Sequence, residues 1–180
     1  MTPARTPTKE AIRAAAQRLF PEKGYAATTV RDIAAEAGCD PALIIRHFGS
    51  KETLFLEVMS VATAEQPLAQ APLENLGETF IAYVLASGDD VRRTFLALLR
   101  ASDSEGVAPR LREMHEAAFV APLAARLEGP DAALRARLAA ALVGGLLYSM
   151  WVVGDEELLA ADHSELVRRY GALLQTLITP

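Results

Sequence analysis

With 180 residues, the chain is long enough to bury a sizeable core, in one domain or two small ones. Hydrophobic residues make up 51% and aromatics 6%, alanine and leucine dominate, and no run of alternating β-branched residues suggests a sheet. The single cysteine, Cys39, excludes a disulfide-stapled domain, and the formal net charge of −5 argues against nonspecific nucleic-acid binding by the whole molecule.

The charge is unevenly spread. Residues 1–60 hold eight Lys or Arg against seven acids, and residues 61–180 hold ten against sixteen. A near-neutral N-terminal unit on an acidic body suits a protein that touches phosphate at one end only. The N-terminal MTPARTPTKEA has no apolar core of signal-peptide length, so a cytoplasmic protein is expected.

In chain order, residues 1–7 read as a polar arm. Thr6 or Thr8 starts a helix that runs to Lys23, with Ile12, Ala15, Ala16, Leu19 and Phe20 on one side. Gly24 ends it, and Tyr25 can fold back onto the apolar face. Thr29 is a good N-cap for a second helix, with Asp32 at its third position and Val30, Ile33, Ala34 and Ala37 as its apolar face. Gly38 stops that helix; Asp40 caps a third, and Pro41 suits its first turn. Ile44 and Phe48 then face inward and turn Leu43, Arg46 and His47 outward. Two short helices joined by a three-residue turn containing glycine are a helix-turn-helix, a unit that places its second helix in the DNA major groove. A solvated helical hairpin would need only the apolar positions.

Ser50 caps a fourth helix, Lys51 towards Ala64, carrying Leu54, Phe55, Val58 and Met59, until Pro67 and Pro72 break the pattern. Five more helices follow: about Pro72–Ala86; one capped by Asp89 or Asp90; Ala108–Leu127, kinked or divided by Pro122; a long one opened by Gly129-Pro130-Asp131; and a last one from Asp162. Asp162 and Glu165 have capping-box spacing. The uncharged stretch Leu138–Gly154 sits at the lower edge of what spans a bilayer, but its small residues fit a buried core or subunit-interface helix better. The fold expected is all-α, about nine helices, with a three-helix DNA-binding unit at 1–50 and a helical body at 51–180.

The stretch from Leu19 to Phe55, LFPEKGYAATTVRDIAAEAGCDPALIIRHFGSKETLF, resembles the DNA-binding domain of the TetR (tetracycline-repressor) family of bacterial transcription regulators. The run G-Y-x-x-T-T-V-R-D-I-A, then A-G, then H-F-x-S-K-E-x-L-F carries the likeness, over about a quarter of the chain. The resemblance implies a homodimer that binds a pseudo-palindromic double-stranded operator and is released by a small-molecule effector. The DNA-contacting residues implied are Thr29, Asp40, Ala42, Leu43, Ile45, Arg46, His47 and Lys51. Thr29 would offer its hydroxyl and N–H to a phosphate. Arg46 would take guanine O6 and N7 together, or else a phosphate. Ala42 and Leu43 would meet a thymine methyl or else simply be exposed, His47 would meet the backbone or else pack over Phe48, and Lys51 would meet a phosphate. The family often has a tyrosine at Ile45, which contacts phosphate there; isoleucine cannot donate that bond. The turn Gly38-Cys39-Asp40-Pro41 also departs from the usual small apolar residue and serine, and Cys39 reads as a small buried hydrophobe.

For the body, Phe80, Tyr83, Phe95, Met114, His115, Phe119, Tyr148 and Trp151 are candidates to line an apolar or aromatic ligand site, though such residues are also what cores contain. The resemblance implies dimerisation through the last two long helices, roughly Asp131–Val153 and Asp162–Ile178, with Leu138, Ala141, Leu142, Gly145, Leu166, Tyr170, Leu173 and Leu177 at the interface. His47, His115 and His163 lie in separate helices without ligand spacing, so no metal is expected, and no cofactor loop is present. Two other readings stay open: a constitutive dimeric DNA-binding protein without a ligand, and a helical small-molecule-binding protein or enzyme. For an enzyme the sequence offers no phosphate loop and no nucleophile–base arrangement.

Overall fold

The computed structural model describes residues 9–61 and 67–179, and all regular structure among them is helical. The expected helix start at Thr6 or Thr8, the arm before it and the run of the fourth helix to Ala64 lie outside the described residues. In order the helices are α1 (Lys9–Lys23), α2 (Val30–Ala37), α3 (Pro41–Phe48), α4 (Lys51–Val61), α5 (Leu76–Ala86), α6 (Gly88–Ala101), α7 (Ala108–His115), α8 (Ala121–Ala124), α9 (Ala132–Tyr148), α10 (Glu156–Ala160) and α11 (His163–Ile178). Short 3-10 turns at Pro67–Ala69 and Leu73–Asn75 precede α5.

The expected helices before α7 are all present. The one read as Ala108–Leu127 is divided. Pro122 has no N–H to return to the preceding turn, and its ring crowds the carbonyl four residues back. The backbone answers with a wider π turn over Glu116–Val120, in which the Ala121 N–H reaches back to the Glu116 carbonyl. A second π turn, Ser149–Val153, ends the long helix at Gly154. The short α10 lies in a stretch without apolar periodicity, so only its cap, Asp155 Oδ1 accepting from the Leu158 N–H at 3.0 Å, marks it in the sequence.

The chain divides into two compact units, one made of Met1–Ala62 with Arg93–Arg112 and the other of Thr63–Arg92 with Glu113–Pro180. This differs from a division at 50/51: α4 belongs with the helices before it, and so does a later stretch of chain.

In the first unit, Ile12, Ala15, Ala16, Leu19 and Phe20 of α1 are buried, together with Ile33, Ala34, Ile44, Phe48, Leu54 and Phe55. Tyr25 does fold back. Its ring lies 4.9 Å from that of Phe55, and Phe20 meets Phe55 edge-on at 5.0 Å. Such aromatic pairs add about 0.5–1.5 kcal/mol beyond area burial. The later segment joins this unit at α4, where Arg110 donates to the Thr53 hydroxyl and Gly106 lies against Glu52.

In the second unit α5 and α11 approach closely. A Cβ on Gly77 would collide with the Gly171 carbonyl, and one on Gly171 would sit 2.7 Å from Glu78 Cα, so only glycine fits either place. Gln175 fastens the contact. Its Oε1 accepts from the Gly77 N–H at 2.9 Å, and its Nε2 donates to the Leu73 carbonyl at 2.8 Å. Arg135 is buried and ties α9 to the end of α11 through the Ile178 carbonyl at 3.0 Å, with Asp131 at 3.0 Å as its counter-ion. The span Ala132–Val153 is long and apolar enough to cross a membrane by length and composition alone. Here it packs on α11, and it contains the buried charge of Arg135.

Candidate nucleic-acid interface

The interface is built on two capped helices. At Thr29 the backbone is extended (φ −98°, ψ 158°), and its hydroxyl accepts from the Asp32 N–H at 3.1 Å. Asp32 replies by accepting from the Thr29 N–H at 2.8 Å and from the Thr29 hydroxyl at 2.6 Å. This capping box satisfies the start of α2, and those bonds hold the Asp32 carboxyl below its ordinary pKa. Both Thr29 donors that the resemblance assigns to a phosphate are held by Asp32 here.

Gly38 adopts the left-handed conformation (φ 67°, ψ 38°). The chain then reverses, with the Cys39 N–H bonded to the Ala34 carbonyl at 2.9 Å and the Gly38 N–H to Ala35 at 3.3 Å. Cys39 is half-buried, and its thiol is pushed up by burial and by the adjacent Asp40 charge, which leaves little thiolate. Asp40 caps α3 by accepting from the Ala42 N–H at 2.7 Å, with Pro41 in the first position. Its carboxylate is thereby spent on the helix.

Ile44 and Phe48 anchor α3 inward, and Ala42, Ile45, Arg46 and His47 are exposed, with Leu43 half-buried. His47 meets Phe48 edge-on at 6.4 Å, and Lys9 and Arg13 lie over the Phe48 ring at 5.1 and 5.8 Å. Two nearby arginines are paired, Arg13 with Glu57 and Arg18 with Glu36. Arg46 has no such partner among the described residues, so its guanidinium is available to a ligand.

Lys51 has a structural task that the sequence does not display. Its ammonium donates to the carbonyls of Tyr25 at 2.8 Å and Thr28 at 3.0 Å, and lies 4.1 Å over the Tyr25 ring. Two of its three donors therefore pin the loop between α1 and α2, and a phosphate is not needed to explain its position. Beside it, Tyr25 Oη donates to Glu52 at 2.6 Å. That bond is the main cause holding the Glu52 carboxyl low, while burial, then Glu52, push the Tyr25 phenol up. Glu52 is a fixed position of the run H-F-x-S-K-E-x-L-F, but no local pattern reports its bond to Tyr25, 27 residues away.

The eight candidate ligand residues are divided between the two units of the chain. Phe95 belongs to the first unit and the others to the second. There Phe80 is core and stacks on Tyr83 at 6.2 Å, and His115 lies 5.7 Å from Phe119. His115 is exposed, Tyr148 is 49% exposed, and Met114 and Trp151 are half-buried. A groove in this unit is lined by Glu74, Glu78, Gly171, Ala172, Gln175 and Thr179 among others.

The residues expected at a subunit interface separate cleanly. Leu166 is buried within the chain, which corrects its assignment. Tyr170, Leu142 and Leu177 are half-buried, with Tyr170 Oη donating to the Leu142 carbonyl at 3.3 Å. Leu138, Ala141, Gly145 and Leu173 are exposed. On α9 and its π turn they belong to a longer exposed line, Leu134, Leu138, Ala141, Gly145, Tyr148 and Val152, at helical spacing.

Comparison with known proteins identifies the family. Residues 12–58 match the family model described as "Bacterial regulatory proteins, tetR family", and residues 74–178 match "Tetracyclin repressor-like, C-terminal domain". The chain belongs to the TetR family. A crystal structure of a TetR-family regulator from Streptomyces coelicolor is 31% identical, covers 98% of this chain and 99% of that one, and superposes with a TM-score of 0.75. An HTH-type transcriptional repressor of Mycobacterium tuberculosis is 52% identical over 44 residues, 24% of this chain and 23% of that protein. The match thus spans about a quarter of the curated relative. NalD of Pseudomonas aeruginosa, the secondary repressor of a multidrug efflux pump, shares the fold at 22% identity, with coverage of 93% on both chains and a TM-score of 0.61.

Proposed function

We propose that the chain is a dimeric transcriptional repressor that binds a pseudo-palindromic operator and is released by a small apolar or aromatic molecule. The observation that carries this reading is the outward face of α3. A helix fixed at both ends and anchored by Ile44 and Phe48 presents an unpaired guanidinium, Arg46, between Ile45 and His47. Arg46 takes guanine O6 and N7, Ala42 and Leu43 lie nearest the start of the helix, and His47 faces the backbone. Lys51 keeps one donor for phosphate, and Thr29 and Asp40 act by holding the helix starts. Two copies joined through the exposed α9 line and Leu173 would set their α3 helices one helical turn of DNA apart, about 34–36 Å or a multiple of it.

The effector part of the reading draws on the separate C-terminal domain. An effector shifts operator occupancy by no more than its differential affinity for the two conformations. Repression needs only that the operator overlap a promoter.

The test is binding of purified protein to its own gene's upstream duplex and to random duplex, with and without candidate effectors. Arg46→Ala should weaken binding to the specific site by about 1–3 kcal/mol and leave random DNA little changed. Equal loss on both duplexes would move Arg46 to the backbone. Binding that no effector alters would favour a constitutive regulator. Absence of any DNA binding would overturn the reading.

A further inference from the structure

We propose that Ile45 reads sequence, by packing its side chain on the C5 methyl group of a thymine beside the base pair engaged by Arg46, an assignment that rests on the DNA-binding reading above. Ile45 is 47% exposed, and among the described side chains of α1 to α4 it is the large apolar one left most open. A single apolar side chain at a surface needs no explanation in general, so its location decides the matter. It lies on the flank of α3 just outside the face that buries Ile44 and Phe48, which are 0% and 5% exposed. Ala42 lies three residues before it and four before Arg46, so the three side chains form one continuous patch.

The chemistry of that patch narrows its partner. Isoleucine offers neither donor nor acceptor, so it gains nothing from a phosphate, a sugar hydroxyl or a polar base edge. The apolar group that the major groove of ordinary DNA presents is the thymine methyl. Burying one against the other removes both from water. The β-branched side chain is already stiff at χ1, so little freedom is lost on contact. The backbone beneath it is held by the Asp40 cap and by Gly49 at the far end, so the contact is aimed before DNA arrives.

The experiment uses the full chain. Duplexes selected by the protein from a random pool give the preferred site, and each thymine in it is then replaced singly by deoxyuridine, which keeps the base pair and removes only the methyl. One position per half-site should lose about fourfold in affinity, the burial of one methyl. The same replacement should cost Ile45→Ala nothing and Ile45→Val an intermediate amount. Ile45→Ala should keep the wild-type salt dependence and its affinity for random duplex, since no phosphate contact is lost. An operator insensitive to uracil at every thymine would overturn the assignment, and so would Ile45→Ala leaving the uracil effect intact at every position. Selection of no sequence at all would overturn the DNA-binding reading itself, and the Ile45 assignment with it.

Discussion

At the residue scale, the loop between α1 and α2 is held by a small polar cluster, Tyr25, Lys51 and Glu52, rather than by apolar packing alone. The cluster makes a prediction with a definite sign. The Tyr25 hydroxyl holds the Glu52 carboxyl below its ordinary value in the folded chain. The stability it contributes is therefore present above the unfolded carboxyl pKa and is lost as pH falls through the folded one. Glu52→Gln should lower Tm at neutral pH, and the gap from wild type should close as the solution is acidified from about pH 5 to about pH 3. A gap that stays constant would show that the carboxylate charge is not what the phenol recognises. The same cluster marks where sequence reading stopped. Thr29, Asp32, Asp40 and Ser50 are legible because a cap acts on its own helix, within three residues. Lys51 reaches carbonyls 23 and 26 residues away, and no local pattern reports such a bond.

At the element scale, the helices of the DNA-binding unit were legible because each carries its own signals: a cap, an apolar stripe and a glycine or proline stop. The α5–α11 contact was not, because it depends on two glycines 94 residues apart, each of which looks merely unfavourable in its own helix. A glycine inside a helix costs about 1 kcal/mol relative to alanine, so Gly171→Ala would stabilise an isolated α11. In the folded chain the added methyl would lie 2.7 Å from Glu78 Cα and 2.9 Å from its backbone nitrogen, which no side-chain rotation relieves. Overpacking of that kind costs about 1–3 kcal/mol, so Gly171→Ala should lower Tm by several degrees. Gly144 is the contrasting case: nothing lies within 4 Å of its would-be Cβ, and Gly144→Ala should raise Tm. If both variants shift Tm the same way, close approach is not what keeps glycine at 171. The division of the helix around Pro122 was legible as a break, whereas its form as a π turn depended on how the freed carbonyls found partners.

At the scale of the whole molecule, the exposed line along α9 is the largest departure from a self-sufficient chain. Leu134, Leu138, Tyr148 and Val152 are 59%, 46%, 49% and 39% exposed on one helical face, and Leu173 of α11 is 54% exposed. Contiguous apolar surface of this kind marks an interaction site. Gly145 sits mid-line with open space around it, so Gly145→Asp leaves the chain's own packing intact while placing a charge in the contact. That variant should sediment as a monomer and bind operator weakly; a dimer would place the interface elsewhere. Helical periodicity locates an apolar face, but it does not say which of two faces the chain keeps for itself, and Leu166 fell on the inward one. Periodicity does not single out ligand residues either, since an aromatic at helical spacing fills a core as readily as it lines a cavity.

The segment 93–112 lies in the middle of the sequence but folds with the N-terminal helices, so the polypeptide passes between its two units three times. A headpiece cut after residue 62 would strip Thr53 and Glu52 of the neighbours that Arg110 and Gly106 supply. Swapping operator specificity between relatives by exchanging the first sixty residues therefore transplants an incomplete piece. A chimera that carries 93–112 along with them should melt higher than one that does not.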